Sequence, residues 1–223
     1  MCGRYTLKTD PRMIAAQFDV TTILPELEDL RPNYNTAPTH AVPVIVAREG
    51  VVTMGAMSWG LIPSWAKDPA IGSRMINARV ETITEKPSFR SAIEKRRCII
   101  PADGWYEWQN IDKVKVPHYF SDSQGELIGM AGIYERWTAP DGVVVWSTSI
   151  ITTAAQSHIA YVHERMPLLV NKRLRSVWLN DGSAPLDAVL EASDTAYNIT
   201  CWPVGKEVGN VRNNSSDLIV PRE

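Results

Sequence analysis

Between residues 98 and 152 the chain passes through four strand-like runs with little between them, and this stretch limits the folds open to it. The runs cover residues 98–108, 116–120, 127–134 and 143–152, each rich in β-branched and aromatic side chains. Short polar turns separate them, which is the spacing of hairpins and too short for the crossover helices of a parallel sheet. Residues 41–47 and 51–57 form another such pair around Arg48-Glu49-Gly50. Residues 166–170 and 197–204 read as later strands. Helices are expected at 11–18, where Thr9-Asp10-Pro11 supplies a cap and a proline at the first helical position. Further helices are expected at 88–96 with Ser88 as cap, and at 154–162, 171–178 and 186–192. Residues 31–38 and 59–72 read as loops, the second carrying Trp65 between Pro63 and Pro69. The sum is an α+β fold built on a mainly antiparallel, barrel-like sheet with flanking helices. At 223 residues it is expected to be one domain, 1–223.

Composition narrows the function. Hydrophobic residues make up 44% and charged residues 22% of the chain, ordinary globular usage, and no apolar run approaches the roughly 20 residues of a membrane span. No secretory leader pattern opens the sequence, so a reducing, cytoplasmic setting is expected. Cys2, Cys98 and Cys201 are an odd number spread over the whole length, which argues against a disulfide framework. Neither CxxC nor HxxxH spacing occurs, and no metal or other cofactor is expected. The net charge of −2 excludes a histone-like binder that coats duplex DNA, while leaving room for a small basic groove. Nothing in the pattern calls for a second copy, and a monomer is expected. Eight Trp and seven Tyr allow stacking on unpaired bases, although most of them belong in a core.

The second residue carries the sharpest chemical signal. Met is removed from a nascent chain when the next residue is small, and Cys qualifies. Removal of Met1 would leave an α-amine and a thiol on one residue, with ordinary pKa values of ~7.7–8.0 and ~8.5, so both are partly nucleophilic near neutral pH. An aldehyde condenses with such an amine to an imine, which the thiol then attacks to close a five-membered thiazolidine. An internal cysteine cannot do this, because its nitrogen is an amide.

Other segments accompany it in a fixed order. They are Met1-Cys-Gly-Arg-Tyr5, Tyr34-Asn-Thr-Ala-Pro38, Trp59-Gly-Leu-Ile-Pro63, Ile76-Asn-Ala-Arg-Val-Glu-Thr82, Arg97-Cys-Ile-Ile-Pro-Ala-Asp-Gly-Trp-Tyr-Glu-Trp108, Ile151-Thr-Thr-Ala154, His163-Glu-Arg-Met-Pro167 and Val208-Gly-Asn-Val-Arg212. With these motifs the chain resembles the SRAP family, the SOS-response-associated peptidases or abasic-site processing proteins. The resemblance implies capture of abasic sites in single-stranded DNA as a covalent thiazolidine at the mature N-terminal cysteine, shielding the lesion. By motif position it implies Cys2 as nucleophile with Asn77, Glu107 and His163 around it.

Physical roles follow for these groups. An imidazole can give and take protons near pH 7, so His163 is expected to assist opening of the sugar ring. Glu107 shares a strand face with Trp105, and a carboxylate beside an indole is desolvated, which raises its pKa towards proton-shuttling values. Asn77 can orient the terminus or the sugar hydroxyl. Arg4, Arg79 and Arg165 are expected on phosphates, Gly3 to admit the backbone close to the sugar, Thr152 as a further DNA contact, and Trp65 to stack beside the lesion. Lyase cleavage through the imine and self-processing of Met1 are possible accompanying activities. Two rivals remain: an N-terminal-nucleophile hydrolase such as a glutamine amidotransferase, where the thiol attacks an amide, and a noncovalent single-strand binding module.

Overall fold

A computed structural model describes residues 2–179, 185–193 and 196–222. Along the chain come β1 (Tyr5–Leu7), α1 (Pro11–Gln17), β2 (Thr22–Ile23), β3 (Asn33–Thr36), β4 (Ala41–Arg48), β5 (Val51–Trp59), β6 (Asn77–Arg79), α2 (Arg90–Lys95) and β7 (Arg97–Ala102). There follow β8 (Gly104–Ile111), β9 (Val114–Asp122), β10 (Ile128–Thr138), β11 (Val144–Ala154), β12 (Arg165–Pro167), α3 (Lys172–Leu179), α4 (Leu186–Ser193) and β13 (Ile199–Pro203). The expected α+β class and barrel-like sheet are what the chain adopts.

One sheet closes on itself. Strands β11, β10, β7, β4 and β5 pair in turn, and β5 returns to β11 through a parallel contact of Ser58 and Trp59 with Ser147 and Thr148. The ring therefore has five strands, antiparallel except at that seam, and closure leaves it no open edge. Val44, Ile45, Met54, Ile99, Ile100, Met130, Ile133 and Ile150 are buried in and around it. A second sheet runs in the order β13-β9-β8-β1-β3. Its hairpin β8–β9 and the barrel hairpin β4–β5 both turn through two residues at positive φ, Asp112 and Lys113 in one and Glu49 and Gly50 in the other. That backbone matches the right-handed twist of the flanking strands.

Several expectations change in detail. The run 98–108 is not one strand: it breaks at Asp103 and passes from the barrel into the second sheet. The Asp103 carboxylate accepts the backbone N–H groups of Lys8 (2.6 Å) and Thr9 (3.2 Å), which fixes a corner there. Gly104 completes it, since a Cβ would stand 2.2 Å from the Phe120 carbonyl oxygen. No helix forms at 154–162. Thr152–Ala154 must pair with Arg165–Pro167, so the chain reverses between them through isolated turn bonds such as Ala160 N–H to the Gln156 carbonyl (3.0 Å). Helix α2 begins after Phe89, which makes no side-chain cap bond, and Ser88 does not cap it. Residues 33–36, read as loop, are strand β3 paired to β1.

That pairing depends on Asn35, which is buried. Its Nδ2 donates to the carbonyls of Val208 (3.3 Å), Asn210 (3.0 Å) and Asn213 (2.9 Å), and its Oδ1 accepts from Arg4 Nη1 (2.8 Å). One amide thus binds the chain's last segment to its first strands. Asn35→Ala would strand these groups at a cost of about 2 kcal/mol, lowering Tm by roughly 4–8 °C in a thermal melt. A shift under 1 °C would show that the carbonyls find other partners.

Candidate active site at residue 2

Cys2 lies at the seam of the two sheets and is wholly buried. Its carbonyl accepts a 2.8 Å hydrogen bond from Asn77 Nδ2. Asn77 opens β6, which runs parallel to β11 with Asn77 opposite Ile150, so the barrel wall sets the position of that amide. Three residues later Tyr5 pairs with Trp105 on β8. From Trp105 the strand alternates, placing Trp105 and Glu107 on the face towards the main core and Tyr106 in a smaller cluster behind with Tyr119, Val204, Val208 and Leu218. The expected alternation is the one adopted.

Glu107 is 3% exposed. Burial pushes its carboxyl up to about 7, so it can accept and return a proton near neutrality. Burial also drives the Cys2 thiol far above its ordinary range, and the neighbouring Glu107 carboxylate acts in the same direction. At pH 7 the sulfur therefore carries its proton, with the Glu107 carboxyl beside it. His163 sits in the bend before β12 and is half-buried. The backbone N–H of Arg165 donates to its Nδ1 (2.9 Å), the Arg165 carbonyl lies 3.2 Å from the same nitrogen, and burial lowers its pKa.

Among the described residues, three buried polar atoms around Cys2 have no hydrogen-bond partner: Tyr5 Oη, Asn77 Oδ1 and Trp105 Nε1. Each unpaired buried group costs on the order of 1–3 kcal/mol, and such groups collect where a polar ligand will pair them. No group of three His, Cys, Asp or Glu side chains among the described residues could hold a metal.

The arginines have prior engagements. Arg4 Nη1 also bonds the Val208 carbonyl (3.0 Å), so this guanidinium holds the C-terminal segment as well as Asn35. Arg165 meets Glu81 with both terminal nitrogens, Nη2 at 2.9 Å, and reaches the Thr152 carbonyl (2.7 Å). That bond holds the Glu81 carboxyl below its usual range. Arg79 is exposed and stands opposite Thr152 in the β6–β11 register, while Thr152 itself is buried. Gly3 is half-buried beside Cys2. The Trp65 ring is 59% exposed. Its loop is pinned where Ala66 O accepts from Trp137 Nε1 (2.8 Å), and Trp137 pairs with Val145. Sequence reasoning missed Glu81, although it stands two residues after Arg79 in a motif already singled out.

The profile of the family described as SOS response associated peptidase (SRAP) matches residues 1–211. The chain belongs to the SRAP family. Among its relatives is the abasic site processing protein YoqW of Bacillus subtilis, 40% identical over 98% of this SRAP chain and 99% of that protein. The abasic site processing protein HMCES of Xenopus tropicalis is 31% identical over 85% of the chain and 66% of its own length. Of solved structures, a Bacteroides thetaiotaomicron protein superposes with TM-score 0.87 at 27% identity, covering the whole of both chains. No helix of this SRAP protein, among the described residues, is long and apolar enough to cross a membrane.

Linkage gives the buried carboxyl a stability signature. Its folded pKa lies above the unfolded value of about 4.3, so the folded state binds the extra proton and loses stability as pH rises from about 4.3 to 7. Glu107→Gln removes that loss. In thermal or urea unfolding the variant should gain on the parent, by up to about 3 kcal/mol, between pH 5 and pH 8. A difference that does not change with pH would show an unperturbed carboxylate.

Proposed function

We propose that this protein processes abasic sites in single-stranded DNA, capturing the aldehyde of the open sugar as a thiazolidine at Cys2. The observation that carries the reading is the burial of Glu107 beside the Cys2 thiol, with Asn77 holding the Cys2 backbone from the barrel wall. Abasic processing is also what the names of the 40% and 31% identical relatives describe.

The chemistry requires loss of Met1, which lies outside the described residues; while it is attached, the Cys2 nitrogen is an amide without a basic lone pair. Once freed, the amine adds to the sugar aldehyde and a water leaves, giving an imine. The thiol then adds across the C=N bond. A carbon–sulfur bond forms, the π bond breaks, and the sulfur's proton passes through Glu107 to the nitrogen. With a pKa near 7 the Glu107 carboxyl can take that proton and give it back at little cost. His163 assists ring opening by giving and taking a proton at its imidazole. Asn77 Oδ1 and Tyr5 Oη stand ready for the polar atoms of the sugar. An imine also acidifies the adjacent sugar C–H and invites β-elimination, so ring closure by sulfur suppresses the lyase route. We assign the family's peptidase label, for this chain, to release of Met1.

For the strand, Arg79 is the exposed phosphate contact and Arg4 a second, with Gly3 and Thr152 beside the sugar and Trp65 stacking on a base next to the lesion. Arg165 takes a phosphate by exchanging it for the Glu81 carboxylate. The protein is taken to act as a monomeric, single-domain cytoplasmic protein associated with DNA.

Cys2→Ala should leave no denaturant-resistant adduct with abasic single-stranded DNA, read by gel and intact mass, while the fold persists. Undiminished adduct would overturn the proposal. Hydrolysis of glutamine by the parent without adduct would replace it with the hydrolase reading. Glu107→Gln and His163→Ala should each slow adduct formation by ~10²-fold or more. Rates within twofold of the parent would remove both from the chemistry.

A further inference from the structure

Tyr161 is among the most exposed large side chains of the protein, at 59%, yet it is held in place on several sides. It sits in the turn between β11 and β12, two residues before His163. Its neighbours in that turn, Ile159 and Val162, are buried, and His158 Nε2 lies 2.8 Å from the Ile199 carbonyl on β13. The Tyr161 hydroxyl contacts Cys201 Sγ at 3.4 Å on the same strand. The ring stands perpendicular to that of His118, centroids 6.3 Å apart at 86°. His118 is the cross-strand partner of Glu107 in the β8–β9 pairing. Cys201 and Phe120 pair across β13–β9, and Phe120 stacks on Trp105 at 5.0 Å. Tyr161 therefore lies on the sheet face that carries Glu107, separated from it by one side chain.

We infer that the Tyr161 ring is a base-stacking subsite, a platform for the unpaired nucleobase next to the captured lesion. The inference rests on the function proposed above. Its physical content is preorganisation. A tyrosine offers a large flat apolar face with few torsions, and here the ring is held by His118 and the hydroxyl by Cys201 while 59% of the residue stays exposed, so stacking a base orders little that was free. Any base has a π face, so such a platform is indifferent to sequence, as a lesion reader without a base at the lesion must be. Stacking worth about 1–3 kcal/mol per base corresponds to roughly 5- to 150-fold in Kd.

The test uses the full-length protein and a single-stranded oligonucleotide carrying one tetrahydrofuran abasic analogue, which has no aldehyde and reports binding alone. A second oligonucleotide also lacks both bases flanking the analogue. Tyr161→Ala should weaken binding to the first by about 5-fold or more and leave binding to the second within twofold of the parent. Tyr161→Phe should bind both like the parent. If Tyr161→Ala melts early, Tyr161→Leu, which keeps the bulk and loses the π face, takes its place with the same expectation. Binding of the first oligonucleotide within twofold of the parent, or an equal loss on both, overturns the subsite. A parent that forms no adduct with authentic abasic DNA overturns the proposed function instead, and the two failures are read in separate experiments.

Discussion

The hydrogen bond from Asn77 to the Cys2 carbonyl ties the beginning of the chain to the wall of a closed barrel, and the site's geometry follows from it. A chain terminus is ordinarily the least ordered part of a domain. Here residue 2 is held by an amide whose own strand is set by the β6–β11 register, and three residues later the chain is locked into the second sheet by Tyr5 opposite Trp105. The two anchors belong to different sheets. Residue 2 is thus defined relative to both, and Glu107, two residues beyond Trp105 on the same strand, is brought beside it without any loop of its own.

Such a site works against stability. A carboxyl kept out of water, a thiol denied its charged form and, among the described residues, three unpaired polar atoms lie on Cys2 and the strands that hold it. Each would be cheaper replaced by a hydrocarbon. What makes them tolerable is the closed barrel on one side and the Asn35 and Arg4 network, which fastens the C-terminal segment over β1 and β3, on the other. Arg165 shows the same economy, since its backbone N–H donates to His163 Nδ1 while the terminal nitrogens of its side chain are taken by Glu81 and Thr152.

Much of this was legible in the amino acids. The hairpins at 41–57 and 104–122 announce themselves through alternation and turns, and the pairing of Trp105 with Glu107 on one face follows from a period of two. Cys2 was legible because only an N-terminal cysteine offers an amine and a thiol together. The corner at Asp103 was not, because nothing in a run of strand-forming residues says that a carboxylate 95 positions from Lys8 will take its N–H. The turns at 154–162 were missed for a related reason: a helical pattern gives way when strand β12 must return to β11, a tertiary demand with no local trace. Glu81 and Tyr161 escaped because their roles depend on neighbours far away in the chain.

The order in which the parts are made bears on how residue 2 comes to be ready. Its dock on β6 is complete only when β11 exists, and Asn77, Ala78 and Arg79 register against Ile150, Ile151 and Thr152. A ribosome adding about 5–20 residues per second needs roughly 8–30 seconds to reach that point. Throughout that interval residue 2 has no dock, so the pocket that holds it, and any chemistry performed there on its amino side, exists only after the barrel has closed.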